Sequence, residues 1–286
     1  MIGGKFIVRW HKFLLTKSYY RSLWYKSYNC KALVFSDVSN NSYIIPTGDE
    51  AIGFHLYVGG KYDSELVGSV VEKLGIDFER KLFVDVGSNV GHICIPAVKD
   101  YGFRKAIAVE PGNLNFRLLN SNCFINNLSN KIDTKNVALG DQKTKSVFLG
   151  LCNENIGDHQ VLTCPSESKR VLEQIELETL DNLVPPEATS TNTLIWIDVQ
   201  GFEGFVFSGA QKVINRKIPI CFEFWPDGLI AKKNYEKLVE VLISSKYSRL
   251  INMQTGQEYD VINSQLFEYF KSQLITKNKH IDLLVI

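Results

Sequence analysis

A short apolar run, Leu82–Val86, broken only by Asp85, passes straight into Gly87, and a second glycine follows at Gly91. Such a run suits a strand covered on both faces, the condition of a parallel sheet sandwiched between helices. Gly87 permits a tight turn at the strand's end, and Gly91 lets the next helix, expected from about Val90, lie close against it. Similar runs recur at Ala106–Val109, Leu194–Val199, Ile218–Phe224 and Ile281–Ile286, and Asn136–Leu139 reads as a third strand of the same sheet. Helical periodicity falls between them at Phe116–Ile125, Phe205–Ile214 and Tyr235–Ser244. This alternation predicts a doubly wound, Rossmann-like α/β sheet. Ser146–Leu151 reads as an added strand, residues 153–175 have no period and are expected to loop over a site, and a polar loop precedes the last strand.

Residues 1–75 read as an appendage to a domain spanning 76–286. Ala32–Phe35, Ser42–Ile45 and Phe54–Val58 look like short strands, and Ser64–Leu74 like a helix with Val67, Val70, Val71 and Leu74 on one face. Residues 1–30 form a basic, aromatic helix that either packs on the domain or makes peripheral contact with an anionic membrane. The first 36 residues carry seven basic side chains and no acid, which leaves 25 basic against 31 acidic residues in the rest. A body of that sign is no nucleic-acid binder, since phosphate contacts need clustered Lys and Arg. Six scattered cysteines without a C-x-x-C pair suit free thiols in a reducing setting. No apolar stretch is long enough to span a bilayer, and a cytoplasmic location is expected.

The chemistry gathers at the strand ends. Asp85, Gly87, Ser88, Asn89 and Gly91 lie where ligands of open α/β sheets bind. Nineteen residues after Gly91, Glu110-Pro111 ends the next strand, and an acid there can accept from both hydroxyls of a ribose. A nicotinamide dinucleotide needs G-x-G-x-x-G to bring backbone against a pyrophosphate, and the middle glycine is missing. S-adenosylmethionine has no pyrophosphate, and its ammonium group welcomes an acid such as Asp85. The competing readings are an NAD(P)-dependent oxidoreductase and a non-catalytic module on the same fold.

The ordered motifs resemble the FkbM-type methyltransferases. They are Val84–Gly91, Val109-Glu110-Pro111, Asn136–Asp141, Asn155-Ile156-Gly157-Asp158-His159, Thr179-Leu180-Asp181, and Ile197-Asp198-Val199-Gln200-Gly201-Phe202-Glu203. The resemblance implies a class I methyltransferase sheet that uses S-adenosylmethionine to methylate a hydroxyl, often of a sugar in a glycan or a related small-molecule precursor. It implies Ala138 and Asp141 as adenine contacts. Gln200 stands where the family usually has Glu, Trp196 where Lys is common, and Pro96 falls inside the expected helix, which it should kink.

Methyl transfer to oxygen needs alignment and a base. Asp198, ending a buried strand beside Asp85, is the first candidate, although such an acid also serves as a helix cap. His159 is the second, and reads equally as an exposed loop histidine. Asn155, Asp158, Glu223 and Trp225 are candidate acceptor contacts, the last as a face for a sugar ring. Glu203 reads as a stabilising charge at a helix start, and His92 as a neighbour of the cofactor. Asp198 and Glu223 end strands of one sheet and could share Mg²⁺, but with no His or Cys cluster no essential metal is expected.

Overall fold

A computed structural model describes residues 17–152, 155–162, 166, 168–275, 277 and 279–286. The expected N-terminal helix is described only as α1 (Lys17–Lys26), the residues before it lying outside the described set. A hairpin of β1 (Ala32–Ser36) and β2 (Ser42–Pro46) follows, then α2 (Ile52–Gly59) and α3 (Ser64–Leu74). The segment Phe54–Val58 is therefore helical, not extended. Asp49 fixes this, its carboxylate accepting from the amides of Ala51 and Gly53 at 3.2 and 2.6 Å. Ile52 and Leu56 then bury one helical face. A short apolar run does not by itself choose between strand and helix.

The sheet begins with β3 (Leu82–Val86), α4 (Cys94–Lys99), β4 (Lys105–Val109), α5 (Asn113–Ile125) and β5 (Ile132–Lys135). The helix after the glycine turn starts four residues later than expected. Pro96 thus falls in its first turn, where a missing N–H costs little and no kink is needed. The third strand is β5, not Asn136–Leu139. As an edge strand it is buried mainly at Ile132, so it never shows the continuous apolar run of its neighbours. Asn122 on α5 and Asn126, one turn on at its C-cap, supply the exposed edge of β2 with side-chain partners. Their amides bond the N–H and C=O groups of Ile44 and Ser42 respectively at 2.6–3.2 Å.

The chain next builds a second, four-stranded sheet from β6 (Ala138–Leu139), β7 (Thr144–Leu151), β8 (Gln160–Leu162) and β9 (Val171–Glu178), ordered β6-β9-β7-β8. Strands β8 and β9 occupy a stretch expected to be loops. Then come α6 (Leu180–Leu183), β10 (Thr193–Ile197), α7 (Glu203–Ser208), α8 (Gln211–Asn215), β11 (Ile220–Phe224), α9 (Pro226–Ala231) and α10 (Tyr235–Ser244). The expected helix Phe205–Ile214 is broken at Gly209, where the backbone presses so close to Gly140 that a Cβ would lie 2.0 Å from its carbonyl oxygen. The supposed polar loop beyond α10 holds β12 (Leu250–Asn252), β13 (Glu258–Tyr259) and α11 (Ser264–Leu274) before β14 (Ile281–Val285).

The large sheet runs β13-β12-β14-β11-β10-β3-β4-β5, with β14 antiparallel between β11 and β12. One face carries Phe83, Leu194, Trp196 and Cys221 against α1–α5 and the hairpin, where Trp24 of α1 is fully buried. The other carries Val84, Val86, Ile195, Ile197, Phe222 and Phe224 against α6–α11. This is a doubly wound α/β sheet, as the alternation of runs predicted, with the antiparallel β14 inserted near one edge. The five described cysteines are unbridged, and no described helix is long and apolar enough to cross a membrane.

Candidate functional site

Strand β3 has β4 on one side and β10 on the other, so connections leave it in opposite directions and a crevice opens at its carboxyl end. Two turns line this crevice. In the first, the amides of Gly87 and Ser88 both donate to Val109 O at 2.9 Å, which ties the glycine turn to the end of β4. Gly87 has φ +92°, and a Cβ there would lie 1.8 Å from Asp198 O. In the second, Gln200 and Gly201 both adopt positive φ, and Glu203 holds the loop by accepting from Val199 and Gly201 N–H at 3.1 and 3.2 Å. Buried Asn234 clamps the same loop, donating to Gly201 O and accepting from Gly204 N–H, both at 2.8 Å.

Two cavities meet at Gly87 and Asp198. The first, about 50 Å³, is lined by Asn89, Glu110, Pro111, Val137–Leu139, Ile156, His159 and Phe202 among others. Glu110 is buried, with Asn89 N–H and Gly112 N–H on its two oxygens at 2.9 and 2.8 Å. Each oxygen keeps a lone pair for a hydroxyl. Burial pushes this carboxyl up to about 7. The second cavity, about 130 Å³, carries the carboxyls of Asp63, Asp85, Asp198, Glu223 and Asp282 with His92 and His280, and among the described residues no lysine or arginine lines it. Burial raises Asp85 to about 7 against the pull of Ser88 and Cys94 beside it, and its Oδ2 has no hydrogen-bond partner among the described residues. Burial holds His92 neutral, at about 4. A larger depression of about 910 Å³ lies at the opposite, amino-terminal ends of β3 and β4, away from the crevice.

The expected site residues divide between these places. Gly87, Asn89, Glu110, Pro111 and Ala138 line the first cavity, and Asp85 and Glu223 the second. Ser88 turns its hydroxyl back onto Asp85 O at 2.9 Å, and Gly91 packs against Ile95 and Leu119. Asp198 lines both cavities, accepts from Gln200 Nε2 at 2.7 Å, and is raised by burial. His159 lies in the first, its ring nitrogens 3.3 Å from Asn115 Nδ2 and 3.2 Å from Cys152 O, and burial lowers it. Six of the expected residues line neither cavity, Ser88 and Gly91 among them. Asp141 pairs with Lys237 at 2.9 Å, and Asp158 with Arg170 at 2.6 Å. Asn155 caps Gly157 N–H at 2.9 Å, and Trp225 packs over Gly228, where a Cβ would meet the ring at 2.2 Å.

Sequence reasoning missed Asp63 and Asp282. Asp282 stands directly opposite Glu223 across the β11–β14 pair, a neighbour 59 positions away that only the antiparallel insertion creates. Asp63, at the start of α3, left a weak signal as an acid beside a helix N-terminus. Asn89 Nδ2 and Asn115 Nδ2 both bond Ile156 O, at 2.7 and 2.9 Å, and pin the 155–162 segment over the first cavity. A nucleoside-sized ligand needs several hundred Å³, more than the first cavity offers as it stands.

A family model described as "Methyltransferase FkbM domain" matches residues 85–242, more than half of the chain. Among solved structures, a geranyl diphosphate methyltransferase in complex with SAM aligns at 10% identity, over 78% of this chain and 83% of that one, with a TM-score of 0.40. A precorrin-6y C5,15-methyltransferase from Geobacter metallireducens aligns at 10% identity, over 78% and 87% of the two chains, with a TM-score of 0.38. No curated protein sequence matches.

Proposed function

This chain belongs to the FkbM methyltransferase family, and from that premise we propose that it methylates an uncharged hydroxyl, that of a sugar in a glycan or glycan precursor. The observation that carries the reading is the pair of cavities joined at Gly87 and Asp198, one edged by Glu110 and Val137–Leu139 and one lined by carboxyls. S-adenosylmethionine supplies the electrophilic methyl group. Glu110 would hold the ribose hydroxyls through its spare lone pairs, with Val137–Leu139 and Phe202 flanking the base. Asp85, whose Oδ2 lacks a partner among the described residues, would meet the ammonium end. Carboxyls in the second cavity accept from sugar hydroxyls and repel phosphate or carboxylate acceptors. Asp198, at the junction, would take the proton as the hydroxyl oxygen attacks, and its raised pKa suits that task. His159, neutral and engaged at both nitrogens, would instead position the donor side. Residues 76–286 would carry the reaction, with 1–75 as the appendage that walls the second cavity through Asp63.

The test is transfer of labelled methyl from S-adenosylmethionine to fractionated neutral and anionic glycans. Label is expected in the neutral pool. Asp198→Asn should lower kcat by about 10²–10⁴-fold, while donor affinity changes by only a few-fold. Label confined to anionic acceptors, or an unimpaired Asp198→Asn enzyme, would overturn the assignment.

A further inference from the structure

Asp198, Glu203 and Glu223 come from three separate elements, yet one carboxylate oxygen of each lies within 4.8 Å of the other two. Oxygens on opposite sides of a cation bound at 2.0–2.6 Å lie roughly 4–5 Å apart, so the three can share one ion. Convergence of acids alone would not mark a site. Here, however, Glu203 is 0% and Glu223 8% exposed, and each keeps an oxygen, Oε2, that accepts no hydrogen bond from the described residues. A buried carboxylate oxygen left without a donor is costly, and a bound cation would offset that cost. The remaining oxygens are committed. Glu203 Oε1 takes the amides of Val199 and Gly201, Glu223 Oε1 lies 3.3 Å from His280, and Asp198 Oδ1 takes Gln200. Each side chain is thus held by one oxygen while the other stays available.

We infer that Asp198, Glu203 and Glu223 form a binding site for one divalent, oxygen-seeking cation of the Mg²⁺ or Mn²⁺ type. The all-oxygen donor set excludes a zinc-like structural site and favours hard cations, which keep further positions for water or a hydroxyl. Asp198 and Glu223 line the carboxyl-rich cavity, so an ion there would orient the acceptor hydroxyl. That role rests on the proposed methyl transfer, whereas cation binding does not. The expectation of no essential metal drawn from the sequence considered only Asp198 and Glu223. It could not foresee that the Gln200–Gly201 turn swings Glu203 back between them.

The test is titration of chelator-treated full-length protein with Mn²⁺, followed by electron paramagnetic resonance, in parallel with calorimetric titration of S-adenosylhomocysteine. One saturable Mn²⁺ site per chain is expected, competed by Mg²⁺. Glu203→Gln and Glu223→Gln should each weaken it at least tenfold, whereas the surface variant Asp133→Asn should leave it unchanged. Absence of saturable Mn²⁺ binding by the parent protein overturns the site, as does unaltered affinity in both glutamine variants. S-adenosylhomocysteine binding without Mn²⁺ binding sinks the cation alone and leaves the methyltransferase reading standing. The reverse pattern sinks the donor site and not the cation.

Discussion

Alanine at position 87 is expected to destabilise the protein by about 3 kcal/mol or more and to abolish donor binding. Two effects coincide there. The residue sits at φ +92°, where an L side chain is strained. The added Cβ would also lie 1.8 Å from Asp198 O, which is backbone and cannot swing aside. Relief would require parting β3 from β10, the pair that forms the crevice. Gly75→Ala separates the effects, since Gly75 has φ +87° but no atom within 4 Å of its Cβ position. That variant should lose about 1–3 kcal/mol from backbone strain alone, its φ of +87° and ψ of 175° suiting only glycine. Urea denaturation of both checks the account, and equal losses would contradict the close approach.

Asp85→Asn is expected to weaken S-adenosylmethionine binding by about 100-fold or more while making the unliganded protein more stable at pH 8. The folded pKa of about 7 stands above the ordinary 3.8 because the group is buried. Below about pH 4 the carboxyl is protonated in both the folded and unfolded chain. From there to about pH 7 the unfolded chain ionises and the folded one resists, so this group's contribution to stability falls as pH rises. Asparagine cannot ionise and escapes that loss. A gain of about 2–4 kcal/mol at pH 8 is expected, shrinking towards zero at pH 4. Glu110 and Glu203, both raised to about 7, should leave the variant with part of the same slope. Denaturation curves at pH 4.5 and 8 read this directly. A variant less stable than the parent at pH 8 would show that Asp85 is well stabilised as an anion without any ligand.

The central strands were legible because burial on both faces leaves almost nothing but apolar residues, Asp85 and Glu223 excepted. Leu82–Val86, Leu194–Ile197 and Ile220–Phe224 carry that mark. Edge strands do not. Ile132–Lys135, at the edge, needs one apolar face, and Val171–Glu178, though inside the small sheet, buries only Ile175 and Leu177. At the site, residues next to a glycine turn or ending a buried strand could be placed, among them Asp85, Glu110, Asp198 and Glu223. Asp141, Asp158 and Asn155 carried the same chemical promise, but their partners Lys237, Arg170 and Gly157 take them into surface pairs and caps. Asp181, in a motif the resemblance highlighted, proves to be a cap, bonding the amides of Lys212 and Val213 at 2.9 and 3.0 Å. Partners of this kind are set by tertiary contact and leave no local pattern.

The central claim is that the crevice over Gly87 and Glu110 takes S-adenosylmethionine. Calorimetric titration of the parent protein with S-adenosylmethionine tests it most directly, with NADH as the competing ligand. One site per chain is predicted, with a dissociation constant of about 1–100 µM, corresponding to roughly 5–8 kcal/mol. Absence of any binding heat at millimolar S-adenosylmethionine, or saturation by NADH in its place, would contradict it.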